Sequence, residues 1–96
     1  MIYLTPSHQQ MIQAILAKYS YAFYAFGSRV KGTHKPLSDL DLCVLEEMPI
    51  LEKAQLQEDF DESNLPFKID LIEWTEMSEE FRQMIKSDLV LIQDTQ

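Results

Sequence analysis

Two aspartates with one residue between them, Asp39 and Asp41, stand at the start of a short apolar run that ends at Leu45. If this run is a strand, side chains two positions apart point to the same face, so both carboxylates project together. Like charges held that close repel unless a cation lies between them, and Mg²⁺ prefers carboxylate, water and phosphate oxygens. The pair therefore predicts a magnesium site. The alternative, a capping residue followed by a solvated strand end, fits a buried run less well.

A third carboxylate, Asp70, lies in the middle of the apolar segment Phe67–Ile72. An acid there is costly to bury unless it is paired or bound to a metal. Lys68 lies on the same face of the predicted strand, so two interpretations stay open: a further metal ligand, or half of an ion pair. Asp59 and Asp61 repeat the one-residue spacing, but they fall in a predicted helix, where residues two apart lie about 200° around the axis. They are not predicted to hold an ion together.

The two glycines of the chain, Gly27 and Gly32, both lie in a polar segment that follows a predicted strand. A helix that begins after Gly27 would offer unpaired N–H groups to a phosphate, glycine would allow close approach, and the Ser28 hydroxyl would add a donor. Arg29 and Lys31 add positive charge nearby. A plain strand-to-helix turn with Gly32 as the helix C-cap explains these residues equally well.

The elements that must position these residues follow from hydrophobic periodicity and capping patterns. They alternate as helix, strand, strand, helix, strand, helix, strand. This order predicts an α/β (α+β) fold in which helices cover a small mixed sheet of three to four strands. The predicted elements are a helix from Thr5-Pro6 with apolar positions 11, 12, 15, 16 and 19, a strand over 21–26, a polar connection over 28–38 with room for one helical turn, a strand over 39–45, a helix over 49–61, a strand over 67–74, a helix after Ser78 with an inner stripe of Met77, Phe81, Met84 and Ile85, and a strand over 89–92.

Length and charge limit the range of functions. The chain of 96 residues predicts a single domain over 1–96. The net charge is −8, and all sixteen acidic residues lie after position 38, which argues against a general nucleic-acid-binding protein. A single cysteine, Cys43, and the lack of a signal-peptide pattern or a long apolar run predict a cytoplasmic protein without membrane association.

The motif GSRVKGTHKPLSDLDL, residues 27–42, contains Gly-Ser, ten further residues and Asp-x-Asp, and Asp70 follows on a separate predicted strand. This arrangement resembles the polymerase-β-type nucleotidyltransferases, and the small size resembles the minimal nucleotidyltransferases encoded as partners of HEPN-domain toxins, the MntA-like antitoxins. The likeness covers nearly the whole chain, no catalytic position is missing, and it implies the nucleotidyltransferase fold. By this resemblance the nucleotide-binding residues are Gly27, Ser28 and Arg29, and the catalytic, metal-binding residues are Asp39, Asp41 and Asp70.

The resemblance also implies an activity and a partner. Asp39 and Asp41 would bind two Mg²⁺ ions, while Asp70 would bind one of them and serve as general base. The expected reaction moves a nucleotide, AMP from ATP, onto a hydroxyl of a HEPN-domain toxin, an RNase, at a tyrosine. The chain would then be the antitoxin of a type VII-like pair, forming a hetero-oligomer with its toxin and making no direct contact with nucleic acid. The alternative is a non-catalytic antitoxin that neutralises its partner by complex formation through the acidic second half.

Overall fold

Four strands form one mixed sheet in the computed structural model, which describes residues 2–95. The strands are β1 (Phe23–Phe26), β2 (Leu40–Val44), β3 (Ile69–Glu73) and β4 (Val90–Gln93), in the spatial order β3-β2-β1-β4. β1 runs antiparallel to both β2 and β4, whereas β2 and β3 are parallel. The predicted α/β class and mixed sheet are therefore confirmed.

Helices begin where the capping patterns placed them. The Thr5 side chain accepts a hydrogen bond from the His8 N–H at 3.1 Å, and Ser78 accepts one from the Phe81 N–H at 3.1 Å. Each bond satisfies one of the free N–H groups of a first helical turn. None of the helices among residues 2–95 has the length and apolarity that crossing a membrane requires. The helices are α1 (Pro6–Leu16), α2 (Ser28–Lys31), α3 (Ile50–Asp61) and α4 (Glu79–Ile85), with 3₁₀ turns at Trp74–Glu76 and Lys86–Asp88.

Different helices cover the two faces of the sheet. The alternating residues Leu40, Leu42 and Val44 of β2 point to a core shared with α1 and α3, to which Ile12, Leu16, Leu56 and Phe60 contribute. On the opposite face a smaller cluster consists of Phe26, Cys43, Met77 and Ile85, with Phe81 of α4 packed against it. The two central strands, β1 and β2, are thus covered on both faces, which explains their nearly continuous apolar sequences.

Several strand boundaries and one side chain differ from the predictions. β2 begins at Leu40, so Asp39 stands just before the strand; the other strands are also one or more residues shorter at an end. Trp74 leaves β3 because the chain turns there into a 3₁₀ helix. Met84 was predicted to face inward, but it is 65% exposed. The reason is that α4 has only seven residues, and its contact with the sheet is made by Phe81 and Ile85.

Candidate active site

The parallel register brings two of the predicted carboxylates together. Asp41 of β2 lies directly opposite Asp70 of β3. Directly opposite residues on neighbouring strands share a face, and here it is the face of Cys43 and Ile72, which contribute to the smaller core cluster. Asp39, two residues before Asp41, is exposed just before the same strand begins. The structure therefore gathers the three carboxylates at one edge of one face.

The three carboxylates are accessible from solvent. α4 reaches this end of the sheet at Phe26, which lies opposite Asp41 on β1 and contacts the Phe81 ring edge-on. Asp39 and Asp70 are exposed, and Asp41 is half-buried. A small ligand can consequently reach all three from solvent.

Within this group of carboxylates, ionisation of Asp41 is disfavoured. Burial, and after it the negative charges of Asp70 and Asp39, together raise the pKa of its carboxyl to about 6 from the ordinary value of 3.8. Desolvation and like charge both disfavour the ionised form. A bound cation would relieve both effects, so the site is electrostatically prepared for one.

The donor set fits Mg²⁺ when the substrate supplies the remaining ligands. Among residues 2–95, no three side chains of His, Cys, Asp or Glu are placed to hold a metal ion by themselves. Mg²⁺ is ordinarily held by one or two carboxylates plus water and substrate phosphates, so a closed protein cage is not needed. No ion pair within this part of the chain neutralises Asp39, Asp41 or Asp70, and the alternative in which Lys68 pairs with Asp70 is therefore wrong.

Gly27 is held against this carboxylate group. It is the N-cap of α2 with a φ of 83°, a conformation that favours glycine. A β-carbon at this position would overlap Oδ2 of Asp41 and lie 3.3 Å from its Cγ. Gly32 ends the same helix with a φ of 79°, and its N–H donates to the Ser28 carbonyl at 2.9 Å, as predicted for a C-cap. The turn thus has a capping role and also brings its backbone to the carboxylates.

The Arg29 guanidinium is buried in the loop and bonded to backbone carbonyls, so in this structure it is not free to bind phosphate as predicted. The residue is 4% exposed. Its Nε donates to the Ser38 carbonyl at 3.0 Å, Nη1 to Tyr3 at 3.1 Å and Nη2 to Pro36 at 3.0 Å. The guanidinium lies 4.0 Å above the Phe67 ring centre. The planar guanidinium has five N–H donors and suits such a cluster of carbonyls. Arg29 therefore organises the loop between the Gly27 turn and the strand that carries Asp41.

Lys31 is a basic side chain that the sequence-based site did not include. It forms an ion pair with Asp88 at 3.6 Å, and both side chains are partly exposed. Asp88 lies two residues before β4, and β4 runs antiparallel to β1, so this pair is close to Gly27 at the same sheet edge. The signal in the sequence was its position four residues after Gly27, at the end of α2.

The helical pair Asp59 and Asp61 is divided between two neighbourhoods, as predicted. Asp59 accepts a hydrogen bond from the Tyr19 hydroxyl at 2.7 Å and pairs with Lys18 at 3.0 Å. Asp61 accepts only the Gln57 side-chain amide at 3.1 Å among the described residues. The two carboxylates therefore do not form a joint ion site.

Comparison with known proteins gives consistent matches. Residues 8–92 match the profile of the nucleotidyltransferase domain. The chain is 47% identical over 76 residues to the "Probable protein adenylyltransferase MntA" of Haemophilus influenzae, covering 77% of this chain and 67% of that protein. A solved toxin–antitoxin structure with AMP-PNP aligns with a TM-score of 0.71 at 24% identity, covering 92% of this chain and 74% of that one. A mutant MntA–HpeT toxin–antitoxin structure aligns with a TM-score of 0.69 at 24% identity, covering 92% and 73%.

The two structural matches establish the fold alone, because their sequences are only 24% identical to this chain. The profile match goes further, since it spans the Gly27 turn, the strand that carries Asp41 and the strand that carries Asp70. The 47% identical relative supports the same assignment over most of the chain. This chain belongs to the nucleotidyltransferase domain family.

Proposed function

We propose that this chain transfers AMP from ATP to a tyrosine hydroxyl of a HEPN-domain toxin and thereby acts as its antitoxin. The observation that carries the proposal is the placement of Asp41 opposite Asp70, with Asp39 beside them and the Gly27 backbone against the Asp41 carboxylate. Three carboxylates can hold the metal ions that act at the reacting phosphate of a nucleoside triphosphate. The glycine turn beside them lets the other phosphates approach the backbone.

The nucleotide would lie along the open sheet edge. Gly27 and Ser28 would hold the triphosphate, and Lys31, at the β4 side of the same edge, would exchange its weak pairing with Asp88 for the terminal phosphates. Lysine is a suitable point charge for phosphate. Asp39 and Asp41 would hold two Mg²⁺ ions, with Asp70 as a further ligand, and these ions would neutralise charge on the attacking and leaving oxygens. The aligned toxin–antitoxin structure with AMP-PNP supports a nucleotide triphosphate as substrate.

The reaction itself exchanges one phosphorus–oxygen bond for another. The acceptor hydroxyl oxygen forms a bond to the α-phosphorus, and the bond from that phosphorus to the oxygen bridging to the β-phosphate breaks. Asp70, exposed and opposite Asp41, takes the hydroxyl proton as general base, and pyrophosphate leaves toward Gly27 and Ser28. The product is a phosphodiester between AMP and the acceptor.

A protein acceptor is supported by the relatives. The H. influenzae relative is named as a protein adenylyltransferase, and the two aligned structures are toxin–antitoxin complexes.

The test is a transfer assay with intact-mass measurement. The purified protein is incubated with Mg²⁺, ATP and the HEPN-domain toxin, and the toxin is then separated and its mass and RNase activity are measured. We expect the toxin to gain the mass of one or more AMP groups and to stay inactive after separation. Omission of Mg²⁺ or replacement of the acceptor tyrosine by phenylalanine is the control, and each should remove the added mass.

The same assay separates catalysis from simple masking. A toxin of unchanged mass that recovers its RNase activity once the complex is separated would contradict the transferase proposal. That result would instead identify the chain as a binding antitoxin, whose excess of acidic residues after position 38 covers a basic surface.

A further inference from the structure

A groove of about 920 Å³ opens beside Asp39, between the loop that precedes β2 and the loop that precedes β3. We call it the Asp39 groove. Its lining is mixed: Leu37, Phe60, Leu65 and Phe67 form an apolar part, while Asp61 from the end of α3, Gln57 and Lys68 form a polar part. It begins at a member of the carboxylate group and continues away from the sheet toward α3.

The side from which the acceptor hydroxyl must approach is the side where this groove lies. The spatial order β3-β2-β1-β4 places Asp70, Asp41 and then Gly27 along one edge. Phosphoryl transfer needs the attacking and leaving oxygens roughly in line across the phosphorus. Because pyrophosphate would leave toward Gly27, the attacking hydroxyl would approach from the β3 side. The Asp39 groove is the cavity at that side.

The groove has surface features that a protein segment would satisfy. Leu37 at its rim is 70% exposed, which is unfavourable for a large apolar side chain in water. Asp61 forms no ion pair within the described residues and accepts only the Gln57 amide. Lys68 also lines the groove but forms no ion pair with Asp61. The apolar part of the lining with the unpaired Asp61 beside it is complementary to an apolar side chain next to a basic one.

We propose that the Asp39 groove binds the acceptor segment of the protein substrate. An apolar side chain of that segment packs on Leu37 and the aromatic wall, a neighbouring lysine or arginine pairs with Asp61, and the acceptor hydroxyl thereby reaches Asp70. This inference rests on the proposed function and specifies where its protein substrate is recognised. The Leu37 and Asp61 side chains act in binding and positioning, without contact to the reacting atoms.

The experiment uses Leu37→Ser and Asp61→Lys in the full chain, with the HEPN-domain toxin as acceptor. Initial rates are measured at saturating Mg-ATP over a range of toxin concentrations, and ATP affinity is measured by calorimetry without toxin. We expect each variant to raise the KM for toxin about 10-fold, with kcat and ATP affinity within about 2-fold of the parent. The matched controls are Leu51→Ser and Glu47→Lys, which are also exposed but lie beyond the other end of the sheet. They should leave the KM unchanged.

Each alternative result has a definite meaning. Transfer by the parent chain with an unchanged KM in both groove variants would overturn the docking proposal and leave the proposed function intact. A loss of ATP affinity with an unchanged KM for toxin would show that the groove holds the nucleotide base, and would equally overturn it. If the parent chain transfers nothing, the proposed function fails, and the dissociation constant of the toxin complex then decides docking: about 10-fold weakening in both variants supports it, and no change overturns it.

Discussion

The α-carbon of Gly27 lies against the carboxylate of Asp41, with no room between them for a β-carbon. Gly27→Ala should therefore push the Asp41 carboxylate out of place and also strain a left-handed φ. We expect transfer to fall at least about 100-fold, because displaced metal ligands no longer stabilise the transition state. Mg-ATP affinity, measured by calorimetry, should fall with it.

Gly32→Ala is the matched control for that substitution. Its φ is also left-handed, and its new β-carbon would meet the Tyr3 ring at 3.2 Å instead of a carboxylate. Both variants should lose about 1–2 kcal/mol of stability in urea unfolding. Only the change at position 27 should weaken Mg-ATP binding; equal weakening by both would count against a specific role for the Gly27–Asp41 contact.

Asp41→Asn should stop transfer and yet stabilise the metal-free protein at pH 8. The folded-state pKa of about 6 is above the ordinary 3.8, so the native state binds a proton more tightly than the unfolded state. Stability then falls as the pH rises from about 4 to 6, and the ionised carboxylate costs about 1–2 kcal/mol above that range after allowance for partial exposure. Removing the charge recovers this free energy.

Urea unfolding at pH 4 and pH 8 checks the sign. The stabilisation by Asp41→Asn should be large at pH 8 and nearly absent at pH 4, where the parent carboxyl is protonated. Asp59→Asn should behave oppositely, since the Tyr19 hydroxyl and Lys18 lower the pKa of Asp59. A destabilised Asp41→Asn protein at pH 8 would contradict this account.

Asp70→Asn should separate chemistry from nucleotide binding. It removes the proposed base and a proposed metal ligand while hardly changing the side-chain volume. We expect single-turnover transfer from labelled ATP to fall at least about 100-fold, with ATP affinity retained within about 10-fold, because the triphosphate is held at the other end of the site. The comparison variant is Asp61→Asn at saturating toxin, which should keep its kcat. Comparable rate losses in the two would argue against Asp70 as the base.

Arg29→Lys should reduce stability more than function. Lysine cannot reproduce the forked donation to three carbonyls, so some of them would be left buried and unpaired. We expect a loss of about 2–4 kcal/mol in urea unfolding. The variant that remains folded at low temperature should bind ATP within about 3-fold of the parent. A large loss of affinity in a protein of normal stability would return Arg29 to the nucleotide-binding set.

The sequence predicted the strand that carries Asp41 and the shared face of Asp39 and Asp41, because alternation is a local property of a strand. It also predicted the third carboxylate as a mid-strand acid. It did not specify that Asp70 lies opposite Asp41, since the register of a parallel pair is fixed by how α3 crosses over and packs.

The sequence could not predict where the Arg29 side chain points. α2 has only four residues, too few for a periodic pattern to show which side is buried. A basic residue after Gly-Ser suggested phosphate, yet the carbonyls of Tyr3, Pro36 and Ser38 that it contacts come from segments brought together only in the folded chain. The same limitation applies to Lys31: its charge near Gly27 was noted from the sequence, but its pairing with Asp88 depends on β4 returning beside β1.

Because β3 is an edge strand, we expect it to open more easily than the central strand β1, and this difference in local stability bears on turnover. Asp70 stands on a strand with one paired neighbour among residues 2–95, whereas Gly27 follows the central strand, which is paired on both sides. Partial opening of a protein takes its weakest edges first. A fluctuation that frees β3 would displace Asp70, the proposed general base, while the Gly27 turn stays formed, and we expect the resulting state to bind a nucleotide without transferring it. Amide hydrogen exchange would detect that state as faster exchange in β3 than in β1, and a bound acceptor that contacts β3 would suppress it.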